Sequence, residues 1–152
     1  MNFSWLFPFR HRKFLSALDH DALVHAIAGA EARTSGEIRL FVTRHRVGDP
    51  VAAAQAQFLR LGMEKTALRN GVLLLVAPAS RNFALVGDTG IHAKIGTAAW
   101  EEITAQIAAC FREGDFHAGL VSAVARIGDH LAAHFPRGEA DRNELSDAVT
   151  ED

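Results

Sequence analysis

The sequence predicts an α/β protein, a three-layer helix–sheet–helix sandwich with a small mixed β-sheet. Three apolar segments have the composition of strands, and four segments with helical spacing of apolar residues surround them. The order along the chain is helix, strand, helix, strand, strand, helix, helix. Such an order is typical of a right-handed parallel crossover followed by a hairpin, with helices packed against the sheet.

The second apolar segment marks the centre of the predicted sheet. Residues 72–77 are nearly all aliphatic, as in a strand that is buried on both faces. In the first strand, residues 37–43, alternate positions are apolar, and Arg39 is expected to reach water. A short connection at 78–82 favours a hairpin into residues 83–87. We therefore expect the first two strands to be parallel and the third to return antiparallel.

Four helices follow from apolar residues that recur every three or four positions. Asp49 and Pro50 form a strong helix start, because the carboxylate can cap free N–H groups and proline suits the first turn. Asp115 is a second candidate cap, and Pro136 ends the last helix. The predicted helices are residues 16–32, 50–61, 97–112 and 116–135.

Composition indicates one globular domain. A chain of 152 residues with 49% hydrophobic and 22% charged residues can bury a proper core and is not wholly disordered. The net charge of -2 gives no general attraction to nucleic acid, so no nucleic-acid partner is expected. Cys110 is the single cysteine, which excludes an intrachain disulfide and suits a reducing compartment. We expect a cytoplasmic protein.

The two ends of the chain differ from the predicted domain, which spans residues 16–136. Residues 1–15 are aromatic and basic, and residues 3–13 are a candidate for peripheral contact with the inner membrane, since tryptophan and basic residues suit that interface. A flap packed on the core, or a loose tail, is the alternative. Residues 137–152 are acid-rich, lack aromatic residues and periodicity, and are predicted to be flexible and removable with little loss of stability.

Polar residues lie where the predicted strands begin or end. Glu37 opens the first strand, Arg69 and Asn70 precede the second, and Asp88 follows the third. The predicted topology places all four at one edge of the sheet, because neighbouring strands are only about 5 Å apart. Glu37 and Asp88 are candidate ligands of Ca²⁺, Mg²⁺ or Mn²⁺, which prefer oxygen. They are also candidates for an acid and a base.

The same edge offers groups that suit a phosphate. Arg69 can bind an anion through two hydrogen bonds, and the turn that contains Thr89 and Gly90 can expose backbone N–H groups. We therefore predict phosphate binding by Arg69, Asn70, Thr89 and Gly90, with Glu37, Asp88 and Arg69 as catalytic candidates. The structural alternative is an ion pair between Arg69 and Glu37, with Asp88 as a turn former. No nucleotide cofactor is expected, because the glycine pattern of a dinucleotide site is missing.

Several segments together resemble the TPM domain family. The matching segments are Thr34-Ser-Gly-Glu-Ile38, Asn70-Gly-Val-Leu-Leu74, Val86-Gly-Asp-Thr-Gly-Ile91, Trp100-Glu-Glu-Ile103, Phe111-Arg-Glu-Gly-Asp-Phe116, Gly119-Leu120 and His134-Phe-Pro136. The last three resemble the bacterial branch most. The resemblance implies a helix–sheet–helix sandwich and, from some plant members, acid phosphatase activity with a divalent cation near acidic residues. It selects Glu37, Asn70 and Asp88, the positions that the sheet geometry also selects.

Two functions from different classes follow. The first is a binding and assembly module with a divalent-cation site at the sheet edge and a membrane-associated protein partner. The second is a weak, metal-assisted phosphomonoesterase, in which Glu37 and Asp88 hold the cation and Arg69 binds the phosphate. The chain lacks the clustered aspartates of a two-metal phosphatase, and this favours the binding module.

Overall fold

The computed structural model describes residues 3–4, 11–138 and 149–152, and it describes side chains from residue 14 onward within those ranges. Its elements confirm the α/β fold. The strands are β1 (Phe3–Ser4), β2 (Glu37–Val42), β3 (Gly71–Ala77), β4 (Asn82–Gly87) and β5 (Val149–Glu151). The helices are α1 (His11–Ser16), α2 (His20–Glu31), α3 (Pro50–Arg60), α4 (Thr89–Lys94), α5 (Thr97–Arg112) and α6 (Phe116–His134).

The strands form one mixed sheet in the order β1-β4-β3-β2-β5. β2 and β3 are parallel, with Glu37 opposite Gly71, and β3 and β4 are antiparallel, with Val72 opposite Gly87. The predicted crossover and hairpin are therefore confirmed. β3 is the central strand, and all of its residues are buried, as its aliphatic sequence predicts.

Helices cover both faces of the sheet and complete the three layers. On one face, Ala54 and Phe58 of α3 pack in a cluster with Leu73 and Leu75 of β3. On the other face, α2, α5 and α6 share a larger cluster with the alternate residues of β2, β3 and β4. This alternation follows from the pleat of a strand, where successive side chains point to opposite faces.

The starts of α3, α5 and α6 agree with the sequence, whereas the start of the first predicted helix does not. Asp49 caps α3, since its carboxylate accepts from the N–H groups of Val51 and Ala52, both at 3.1 Å. The predicted helix over 16–32 is instead divided: α1 ends at Ser16, and α2 starts after Asp19, whose carboxylate accepts from the N–H of Ala22. Asp19 provides the reason. It is the N-cap residue of α2, and its extended backbone interrupts a continuous helix.

Arg39 does not reach water. The structure buries this residue, and every residue of β2 is buried with it. The expectation that Arg39 reaches water was wrong, since its position is buried together with Leu73, its partner residue on β3. β2 lies between β3 on one side and β5 on the other.

β5 is an element that the sequence did not reveal. Residues 149–151, in the segment predicted to be a flexible tail, pair in parallel with β2 and place Val149 opposite Leu40. Asp152 anchors the strand by accepting from Thr43 Oγ1 at 2.7 Å and from the Arg44 N–H at 2.8 Å. Burial by itself would raise the pKa of Asp152, but these hydrogen bonds and the charge of His45 outweigh it and lower that pKa. Residues 139–148 lie outside the described residues.

Deleting residues 149–152 is expected to lower the free energy of unfolding by about 1–2 kcal/mol, because buried Val149 and its pairing with β2 are lost. The melting temperature should fall by roughly 3–6 °C in a thermal melt. Glu151→Gln, a change at an exposed residue of the same strand, is the control and should leave it unchanged. An unchanged melting temperature in the deletion would support a flexible tail up to its last residue.

The predicted membrane contact concerns residues 3–13, whose side chains lie outside the described residues. In the described part of the chain, no helix combines the length and the apolar character that crossing a membrane requires.

Candidate functional site

A tight loop before β3 sets the position of Arg69. The Arg69 N–H donates to the Thr66 carbonyl at 3.2 Å, and the Asn70 N–H donates to Thr66 Oγ1 at 3.1 Å. Arg69 has a φ angle of 52°. This left-handed conformation costs free energy in a residue other than glycine and often occurs at functional sites. The loop is therefore held by local hydrogen bonds in a conformation that arginine adopts rarely.

Arg69 forms a two-point ion pair with Asp88. Its Nε donates to Asp88 Oδ2 at 2.7 Å, and its Nη2 donates to Oδ1 at 2.9 Å. The Asp88 side chain is 5% exposed, whereas the Arg69 side chain is 50% exposed. The hydrogen bond with Asp88 and its charge raise the pKa of Arg69. The carboxylate that pairs with Arg69 is thus Asp88, not Glu37 as the structural alternative had it.

α4 begins at this ion pair, in a segment that the sequence suggested was a turn. Asp88 is its N-cap, and Oδ1 accepts from the Thr89 N–H at 2.7 Å. The Gly90 N–H donates to the Arg69 carbonyl at 2.9 Å. The N–H groups of Thr89 and Gly90, which the sequence predicts as phosphate donors, therefore already donate within the protein. The predicted phosphate site stays a prediction, and Arg69 is its half-exposed member.

Glu37 and Asn70 lie on the other side of β3. The Glu37 N–H donates to the Asn70 carbonyl at 3.4 Å, and both side chains are buried. Glu37 is opposite Gly71 in the sheet, and the Asp88 N–H donates to the Gly71 carbonyl at 3.0 Å. Gly71 thus separates Glu37 from Asp88. All four predicted residues come to one sheet edge, but β3 lies between the two acids.

Asn70 has one amide atom that lacks a partner. Its Nδ2 donates to Ser35 Oγ at 3.1 Å, whereas its buried Oδ1 has no hydrogen-bond partner in the described part of the chain. The buried Oε2 of Glu64 is in the same situation. Buried acceptors without donors are rare, because each one loses its hydration without compensation. Both atoms are oxygens, which are the ligands that Ca²⁺ and Mg²⁺ prefer.

A groove opens beside the ion pair, between α3 and α4. It consists of two adjoining cavities of about 370 and 310 Å³. Arg69, Asp88 and Glu64 line the first, and Trp100 and Glu101 line the second. Both cavities share Gln55, Val86, Gly87 and His92. We call this surface the α3–α4 groove.

The residues that α3 and the following turn contribute to this groove were not found from the sequence. Phe58 and Leu59 lie at the end of α3, and Glu64 lies in a short turn from Met63 to Lys65. Leu59 does not belong to the apolar stripe of α3, and this was the one signal available. An apolar residue outside the buried stripe of an amphipathic helix indicates an exposed apolar contact surface.

Among the residues that the structure describes, no three His, Cys, Asp or Glu side chains are grouped so that they could hold a metal ion. A cation at this edge would therefore need other oxygen atoms beside carboxylates. The unpartnered Asn70 Oδ1 is such an atom.

The fold and the site define a class: an α/β sandwich with an ion-paired sheet edge and a groove beside it. The chain belongs to the TPM domain family, whose model matches residues 9–130. A similar solved structure is that of the BA42 protein from the psychrophilic bacterium Bizionia argentinensis, determined by NMR. It is 34% identical, has a TM-score of 0.81, and the match covers 88% of this chain and 92% of that one. No curated protein matches the sequence.

Proposed function

We propose that this TPM domain is a binding and assembly module with a divalent-cation site at its sheet edge. The proposal rests on the hydrogen bonds of the Asp88 carboxylate. This carboxylate accepts from Nε and Nη2 of Arg69 and from the Thr89 N–H. A carboxylate held by three donors stabilises the loop and α4, and it is poorly placed to take a proton from water. This arrangement supports binding over catalysis.

The ligands that we propose for the cation are Glu37, Asp88 and Asn70 Oδ1. Asn70 Oδ1 fits because it is buried and lacks a donor among the described residues. Asp88 fits as a ligand only through lone pairs that Arg69 and the Thr89 N–H leave, and the guanidinium repels a cation nearby. We therefore expect modest affinity, set by competition between the cation and Arg69 for Asp88.

We further propose a membrane-associated protein partner and a location at the cytoplasmic side of the inner membrane. The aromatic and basic composition of residues 3–13 supports this proposal. 

Ca²⁺, Mg²⁺ or Mn²⁺ is expected to raise the melting temperature, because a ligand that binds the folded state stabilises it. Asp88→Ala should abolish this shift, measured against the metal-free melting temperature of the same variant. Asp129→Ala is the matched control, since Asp129 is an exposed acid in an ion pair with Arg33 on another part of the molecule. An equal metal-dependent shift in Asp88→Ala would contradict the cation site.

The phosphomonoesterase alternative is tested with the same variants. It requires turnover of p-nitrophenyl phosphate that both Asp88→Ala and Glu37→Ala eliminate, with the control variant unaffected. Arg69, half-exposed at the groove, is the residue that favours it. Turnover that meets these conditions would replace the binding module by the enzyme.

A further inference from the structure

We propose that the α3–α4 groove binds a segment of a partner protein in which a lysine or arginine is flanked by large aliphatic side chains. This inference rests on the proposed binding function and specifies the chemistry of the partner. It concerns the groove and not the cation site.

The apolar part of the groove favours aliphatic side chains in the partner segment. Leu59 and Leu68 are the two large hydrophobic residues that the described part of the chain exposes, at 62% and 55%. Leu59 lines the groove, and Leu68 belongs to the loop that ends at Arg69. Phe58 and Val86 extend the apolar lining inward. An exposed apolar side chain that lines a cavity beside further apolar residues is typical of an interaction site.

The charges of the groove select a basic partner. Its titratable groups are three carboxylates, one guanidinium and one imidazole: Glu64, Asp88, Glu101, Arg69 and His92. Arg69 balances Asp88 through the two-point ion pair. Glu64 and Glu101 form no ion pair with any residue that the structure describes. The groove therefore keeps an acidic character that attracts a cationic side chain and repels an acidic one.

Glu64 shows where the cation of the partner belongs. Its Oε2 is buried and has no donor within the described ranges, although the residue lines the cavity. The charge of Glu64 contributes to the raised pKa of Arg69, but Arg69 donates its Nε and Nη2 to Asp88. A cationic donor in the cavity would pair with the Glu64 carboxylate, which forms no ion pair within the described ranges, and a charged donor forms the stronger hydrogen bond. Lysine and arginine are such donors.

The shape of the groove suits an extended segment more than a compact metabolite. The two cavities share four lining residues, so they form one continuous depression. Glu64 lies in the first cavity, and Trp100 with Glu101 lies in the second. A segment of three or more residues could thus place its basic side chain at Glu64 and aliphatic side chains at Leu59 and Trp100.

The test is an NMR titration of the full chain, labelled with ¹⁵N, without divalent cations. The probes are acetyl-Leu-Lys-Leu-amide and its acidic counterpart acetyl-Leu-Glu-Leu-amide. The lysine peptide is expected to shift the amides of Gln55, Leu59, Glu64 and His92 and to bind about tenfold more tightly than the acidic peptide, as expected for one desolvated charge pair. Glu64→Gln should remove this preference, and Leu59→Ser should weaken the binding of both peptides.

Glu102→Gln is the control, because Glu102 is an exposed acid of α5 that pairs with Arg126 and lies outside the groove. It should bind both peptides as the unchanged protein does. Equal binding of the two peptides, shifts outside the groove only, no shifts, or an undiminished preference in Glu64→Gln would each overturn the proposal. If divalent cations fail to raise the melting temperature but the preference for the lysine peptide is kept, the cation site alone is rejected. If divalent cations raise the melting temperature but the peptide preference is missing, the groove proposal alone is rejected.

Discussion

Gly90→Ala is expected to lower the free energy of unfolding by about 3 kcal/mol, because a methyl group does not fit where α4 meets the loop before β3. A Cβ at position 90 would overlap the Leu68 carbonyl oxygen and lie 2.7 Å from that of Arg69. Both obstacles are backbone atoms, which cannot rotate away as a side chain would. The loop would have to move, and the hydrogen bond from Gly90 to Arg69 would break. The melting temperature should fall by roughly 10 °C.

Gly29→Ala is the matched control for this substitution. A Cβ at Gly29 would meet nothing within 4 Å, and this glycine lies inside α2. Alanine favours the helix over glycine by up to about 1 kcal/mol, so this variant should be as stable as the parent or more stable. Denaturant unfolding of both variants measures the difference. Equal stability of the two variants would show that the loop before β3 moves to accommodate the methyl group at position 90 without a loss of stability.

Asp88→Ala is expected to cost about 2 kcal/mol in unfolding free energy, since it removes the cap of α4 and the ion pair together. The Thr89 N–H would lose its acceptor, while half-exposed Arg69 would regain water. Asp88→Asn keeps one acceptor of the same size and should lose about half as much. Chemical denaturation followed by circular dichroism measures both losses.

The exposed ion pair of Arg33 and Asp129 gives the contrast. Its side chains are 50% and 70% exposed, and such pairs contribute little, so Asp129→Ala should change the stability by less than about 0.5 kcal/mol. If Asp88→Ala were as mild as Asp129→Ala, the buried carboxylate would not be what holds α4 and the loop together.

The sequence predicted the elements that depend on long local patterns. The aliphatic residues of β3 and the apolar stripes of α3, α5 and α6 depend on composition within one segment, and they emerge without knowledge of the rest. β5 is different, because Val149–Glu151 has no pattern of its own. It becomes a strand because β2 offers unpaired backbone groups along its edge. α4 was missed for a similar reason, as six residues after Gly87 and Asp88 look like a turn.

The site was predicted in its location but not in its pairing. Topology places Glu37, Arg69 and Asp88 at one sheet edge, and sequence patterns give that topology. Which acid Arg69 binds depends on the path of the loop before β3, which the contact of Gly90 with the Arg69 carbonyl fixes. That contact is a hydrogen bond between residues of two different loop and helix segments, and periodicity does not encode it. The groove depends in the same way on long-range packing, since α3 lies on β3 and β4 while α4 follows β4.

Trp100 gives the α3–α4 groove an intrinsic fluorescence signal. The residue is 2% exposed, its indole Nε1–H donates to the Leu85 carbonyl at 3.3 Å, and it lines the second cavity of the groove. The chain has two tryptophans, so Trp5→Phe leaves Trp100 as the single indole fluorophore. Emission from that variant then reports the polarity at one end of the groove, and occupancy can be followed in real time without an attached dye.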